Sequence, residues 1–123
     1  MNSRFLDICQ LEHVENGKGT GVLALQNYQG LMGVRPLFLA LEGIHQAAVR
    51  IGKKVIAGAS ARDIRVLPVN INQFSQADEL ELKAYQFTCE AEPFGPSARV
   101  TVTVLDEQTG DSVAQAQITV AKL

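Results

Sequence analysis

The chain has 123 residues with 46% hydrophobic and 20% charged side chains, a balance that supports one domain with a real core and excludes disorder. A net charge of −2 leaves no basic stripe for nucleic-acid phosphates, and no apolar run is long enough to span a bilayer. The opening stretch, MNSRFLDICQ, carries no secretory core or small-residue cleavage site, so a cytoplasmic protein is the expectation.

Residues 5–14, FLDICQLEHV, read as a first strand, with a turn at 15–19 where two glycines can adopt positive φ. Residues 20–26, TGVLALQ, are the second strand of that hairpin. The stretch 27–35, NYQGLMGVR, has two glycines and no regular period, and reads as a loop feeding a helix.

That helix, PLFLALEGIHQAAVRI at 36–51, is the organising element of the chain. Leu37, Leu41, Ile44, Ala48 and Ile51 recur at alternating four- and three-residue steps and form one apolar stripe. Ala40, Gly43 and Ala47 make a neighbouring stripe of small residues where another backbone can come close. Pro36 suits the first turn, and Gly52 with Lys53 and Lys54 reads as the C-terminal end.

After the helix nearly everything reads as strand. Residues 55–69 settle into one through Ile64, Val66 and Leu67, and Pro68 argues against a centrally paired position at that end. Residues 70–78 read as a connector anchored by Ile71 and Phe74. Residues 79–92 are the clearest long strand, with Leu80, Leu82 and Ala84 on one face and Tyr85, Phe87, Cys89 and Ala91 on the opposite parity. That switch predicts a β-bulge near Ala84 and Tyr85. A turn at 93–97 leads to 98–106 with Val100, Val102 and Val104 inward. A further turn at 107–111 leads to 112–122 with Ala114, Ala116, Ile118 and Val120 on one face. The last three strands are expected to form an antiparallel meander. With no repeat, low-complexity segment or linker, 1–123 reads as a single domain.

Cys9 and Cys89 have no CxxC spacing and no clustered histidines, so no metal site is expected and both thiols read as small buried hydrophobes. No Ser-His-Asp order, P-loop or dinucleotide fingerprint is present. The polar residues of the helix are the candidates that remain. Glu42, His45 and Gln46 lie within one turn and can face one cleft, where burial would tune a carboxylate toward base chemistry. The competing reading makes Glu42, His45, Gln46 and Arg50 the solvated edge of an amphipathic helix.

Two strands, a long buried helix and four further strands resemble the hot-dog fold, an α+β architecture in which an antiparallel sheet wraps one central helix. The resemblance covers almost the whole chain. Its most specific piece is 41–48, LEGIHQAA, which resembles the leucine–glutamate–x–x–x–glutamine–alanine–alanine helix signature of β-hydroxyacyl-(acyl carrier protein) dehydratases. Pro36 falls where that family has a proline, and GASAR at 58–62 resembles the strand that lines the family's acyl tunnel. The pattern is similar to the aryl-polyene dehydratase-like members at least as much as to the fatty-acid enzymes.

By that resemblance Glu42 matches the catalytic acidic residue and Gln46 the helix glutamine. The family's histidine has no match: the loop before the helix offers Asn27, Tyr28 and Gln29, and the segment before the first strand only residues 1–4. Dehydration needs both a base and an acid. A lone helix glutamate fits thioester hydrolysis better, as in hot-dog hydrolases, with His45 as candidate partner. Tyr28, Gln46, Ser60 and Arg62 are candidate contacts to the substrate, and backbone amides around 30–33 a candidate oxyanion hole. The resemblance implies an acyl group on acyl carrier protein or coenzyme A, no diffusible cofactor, and a homodimer or dimer of dimers with sheets paired edge to edge. The alternative is a non-catalytic acyl-chain-binding or partner subunit that lacks the histidine.

Overall fold

The computed structural model describes residues 8–28, 35–57, 66–76 and 79–122. In chain order these form β1 (Cys9–Glu15), β2 (Lys18–Ala24), a 3₁₀ turn (Leu25–Tyr28), α1 (Pro36–Ala57), β3 (Val66–Gln76), β4 (Ala84–Phe94), β5 (Ser97–Leu105) and β6 (Ser112–Lys122). The strands make one sheet in the order β1-β2-β4-β5-β6-β3, with every neighbouring pair antiparallel. The chain therefore crosses the sheet through α1 and returns β3 to the far edge, beside β6.

The core lies between α1 and one face of the sheet, and β4, β5 and β6 supply most of the wall against the helix. Period-2 alternation explains their register. Val100, Val102 and Val104 on β5 are fully buried, as are Ile118 and Val120 on β6, while Phe87 and Tyr85 point inward from β4. Each such valine removed from water contributes about 1.5–3 kcal/mol. The meander and the inward set match the sequence expectation, and the side chains of Cys9 and Cys89 are buried. The first hairpin closes through Asn16 and Gly17, at φ 53° and 77°, the pair of positive values that a two-residue turn of this hand requires.

On the helix, Ile44, Ala48 and Ile51 are buried as expected, but Leu37 and Leu41 are only half-buried. Ala40, Gly43 and Ala47 are buried in their place. The small stripe faces the sheet, so the helix axis approaches it closely.

Four expectations are corrected. Gly52 does not end the helix, which continues to Ala57. Instead Gly52 packs on β6, where a β-carbon would lie 3.1 Å from Val120 Cβ, and the glycine serves close approach. The supposed connector at 70–78 is strand to Gln76, recruited by pairing with β6, and Ile71 and Phe74 are exposed at 42% and 38%. No bulge interrupts β4 at Ala84 and Tyr85, because the strand begins there. The parity switch comes from a tight turn in which the Lys83 N–H donates to the Glu81 carbonyl, while Leu80 is buried ahead of it. Register shifts fall instead at Leu11/His13 on β1, at Pro68/Asn70 and Ile71/Gln73 on β3, and at Val104/Leu105 on β5. Pro68 sits on an edge strand, where a missing N–H is tolerated.

Candidate functional site

Glu42, Gln46 and Arg50 follow one another at four-residue steps and form a polar row along α1. All three are good helix formers, so the helix loses little by carrying them. The row lies beside the head of β1, where backbone groups need partners. Gln46 Oε1 accepts the N–H of Ile8 at 3.0 Å and of Cys9 at 2.9 Å. The Arg50 guanidinium donates to the Cys9 carbonyl. On the other side of its amide, Gln46 Nε2 donates to Glu42 Oε2 at 3.2 Å.

These residues open onto a recess of about 450 Å³ lined by Glu42, His45, Gln46, Val49, Arg50 and Pro68. It lies between α1 and the start of β3, and its volume is within the range of small-ligand pockets. Val49 and Pro68 supply apolar wall and the helix supplies the polar groups. Glu42 is exposed, whereas His45, Gln46 and Arg50 are half-buried. The burial anticipated for Glu42 is absent within one chain, because the helix turns this residue outward beside the edge strand. Among the described residues no hydrogen bond joins His45 to Glu42, although both line the recess.

The structure thus brings together Glu42, His45 and Gln46. Tyr28 belongs to the 3₁₀ turn that follows β2, and its side chain lies outside the described set. Ser60, Arg62 and the glycines at 30–33 also lie outside the described residues. Val49, Arg50 and Pro68 were not singled out as site residues from the sequence. The signal for Arg50 was its spacing, one turn beyond Gln46 on the row that begins at Glu42.

Other reactive groups are disposed differently. Burial pushes the Cys89 thiol up to about 11, with Cys9 adding to the effect, so Cys89 is no thiolate nucleophile near neutral pH. Among the described residues no group of three His, Cys, Asp or Glu side chains is placed to hold a metal ion, and no helix is long and apolar enough to cross a membrane.

No family model matches the sequence, and no curated protein matches it either. Solved structures do. A candidate thioesterase from Lactococcus lactis superposes with a TM-score of 0.72 at 12% identity, covering 100% of this chain and 99% of the other. A thioesterase from Haemophilus influenzae gives 0.67 at 9% identity, over 93% and 77% of the two chains. A protein from Streptococcus mutans, solved with acetyl-CoA bound, gives 0.67 at 15% identity over 97% and 90%. At such identities the likeness is one of fold, and it extends over nearly the whole chain. The chain has the hot-dog fold of thioesterase-like structures.

Proposed function

We propose that this protein hydrolyses acyl thioesters carried by coenzyme A or acyl carrier protein, with Glu42 as the base that activates water. The observation that carries this reading is the recess between α1 and β3, in which a histidine and apolar wall meet the Glu42 carboxylate held by Gln46. In the proposed reaction Glu42 takes a proton from water as the water oxygen bonds to the thioester carbonyl carbon. The tetrahedral intermediate collapses, the carbon–sulfur bond breaks, and the proton passes from Glu42 to the departing sulfur. The products are a carboxylic acid and a free thiol. His45, on the same wall, is the proposed second polar contact to the reacting group. Tyr28, Ser60 and Arg62 are proposed contacts to the thioester and its phosphopantetheine arm. The acetyl-CoA bound to the Streptococcus mutans protein supports a thioester as ligand for this fold.

The proposed working unit is a homodimer paired through β3. This strand lies at the sheet edge and carries no charged residue from Val66 to Gln76, while Val69 is 53% exposed. Edges left open to solvent are commonly guarded by charge. A second β3, antiparallel across a twofold axis, would cover this one without charge conflict.

A second reading, a non-catalytic acyl-binding subunit, is favoured by the exposure of Glu42 within one chain. Mass spectrometry of 3-hydroxyacyl, enoyl and saturated acyl thioesters incubated with the pure protein separates the possibilities. Loss of the acyl group that disappears in Glu42→Gln supports hydrolysis. Gain or loss of water with the thioester intact would indicate a dehydratase and turn attention to His45 and Tyr28. Substrates that all bind but survive unchanged would leave the binding subunit.

A further inference from the structure

We infer that Gln46 is a positioning residue, which uses the backbone of β1 to hold Glu42 in one orientation and does not recognise the acyl group. For turnover, this inference rests on the hydrolysis reading above. A glutamine amide offers one acceptor oxygen and one donor nitrogen, and rotation by half a turn exchanges them. At Gln46 that rotation is blocked. Oε1 already accepts two backbone N–H groups, from Ile8 at 3.0 Å and Cys9 at 2.9 Å. Turning the amide over would aim its NH₂ at two donors and strand both. The backbone at the head of β1 therefore decides which end of the amide faces Glu42, and that end is always the donor.

The consequence falls on the carboxylate. Gln46 Nε2 donates to Glu42 Oε2 at 3.2 Å, which occupies one oxygen. Glu42 Oε1 has no partner among the described residues and is the oxygen left for the proton of the attacking water. The template itself is stiffened by Arg50, whose guanidinium holds the Cys9 carbonyl one helical turn further on. Two positions on α1 thus grip the Ile8-Cys9 dipeptide at the head of β1, and between them the orientation of Glu42 is set without any side chain from β1. Among the described residues, the charged and titratable groups beside Glu42 in the recess are His45 and Arg50 on α1; Pro68, from β3, brings none.

Two substitutions separate positioning from substrate contact. Gln46→Glu keeps an oxygen acceptor for the Ile8 and Cys9 N–H groups but replaces the amide donor facing Glu42 with a second carboxylate oxygen. Gln46→Leu removes both functions. The expected result for Gln46→Glu is retained hydrogen-exchange protection at the Ile8 and Cys9 amides, a fall in kcat of about ten- to hundredfold, and KM within about twofold of the parent. Gln46→Leu is expected to lose the protection as well. A raised KM with kcat preserved in Gln46→Glu would overturn the inference, because that is the mark of a substrate contact. An activity-independent measurement guards against misfolding and against failure of the hydrolysis reading. The Gln46 side-chain NH₂ signals in a ¹⁵N–¹H spectrum of substrate-free protein should move in the Glu42→Ala variant. If they stay in place, the inference is wrong whatever the protein catalyses.

Discussion

Gly43 of α1 lies so close to Ile8 at the head of β1 that a β-carbon on the glycine would fall 2.9 Å from Ile8 Cγ2. Leu23 Cδ2 would be met at the same 2.9 Å. Both neighbours are fully buried, so the side chains must shift within the core to admit a β-carbon. This approach is what lets Gln46 reach the Ile8 and Cys9 amides. Gly43→Ala should destabilise the protein by about 1–3 kcal/mol through overpacking, even though alanine is the better helix former by about 1 kcal/mol. Urea unfolding decides it: a variant more stable than the parent would mean that the contact relaxes freely.

His45 is expected to matter less than Glu42. A thioester expels a thiol whose ordinary pKa is about 8.5, so departure needs little help from an acid. His45→Gln should lower kcat by less than about tenfold, against about 10²- to 10⁴-fold for Glu42→Gln. Steady-state kinetics on an acyl-CoA compares them, and a thousandfold loss in His45→Gln would make the histidine the base.

Lys83 and Asp106 join the start of β4 to the β5–β6 turn through a 2.8 Å hydrogen-bonded ion pair. The Lys83 ammonium, helped by the Gln108 and Thr109 N–H groups, holds the Asp106 carboxyl below its ordinary 3.8. A depressed folded value means the contribution is complete above the unfolded value and fades as pH falls through the folded one. The same bond raises Lys83 above 10.5, so its share is present below that value and fades as pH climbs past it. Asp106→Asn should therefore be less stable than the parent at pH 7, with the difference closing below about pH 4. A gap that persists unchanged to pH 2 would exclude the ion pair as its source.

Burial pushes Cys89 up to about 11 from 9.0. At pH 8 the folded protein should leave Cys89 unalkylated by iodoacetamide over hours, and guanidinium should expose it. Because the folded value is raised, its contribution to stability is intact below pH 9.0 and is lost as pH rises through about 11. Fast labelling of Cys89 in the native protein, read by peptide mass, would contradict the packing against β2.

A charge on the β3 edge tests the proposed dimer. Ile71→Lys places an ammonium on a strand that has none and on a residue already 42% exposed, so the single chain should stay folded. Sedimentation should show the parent as a dimer and the variant shifted to monomer. A variant that remains dimeric would move the interface away from β3.

The later part of the fold was legible because its signals are local. Val100, Val102 and Val104, and then Ala114 to Val120 at every second position, announce one buried face, and β6 has the expected bounds at Ser112–Lys122. The Asn16–Gly17 turn is equally local. Helix spacing alone placed Glu42, His45 and Gln46 on one cleft wall.

Other features depended on distant partners. Gly52 resembles a helix stop until Val120 is seen beside it, where a β-carbon would be a tight 3.1 Å from Val120 Cβ. The polar run through Asn70 and Gln73 has no strong strand preference, yet β6 needs an edge partner and recruits it. Nothing in the sequence hints that the Ile8 and Cys9 amides, 38 and 37 residues away, point at the Gln46 oxygen. Periodicity by itself determined which faces are apolar, and with them the helix-and-sheet architecture, since burial of those faces repeats every two or 3.6 residues. Only the tertiary structure decided how closely α1 approaches β1 and what Gln46 and Arg50 bind. Those are contacts between segments far apart in the chain, set by the missing side chain at Gly43 and by backbone groups that every residue carries alike.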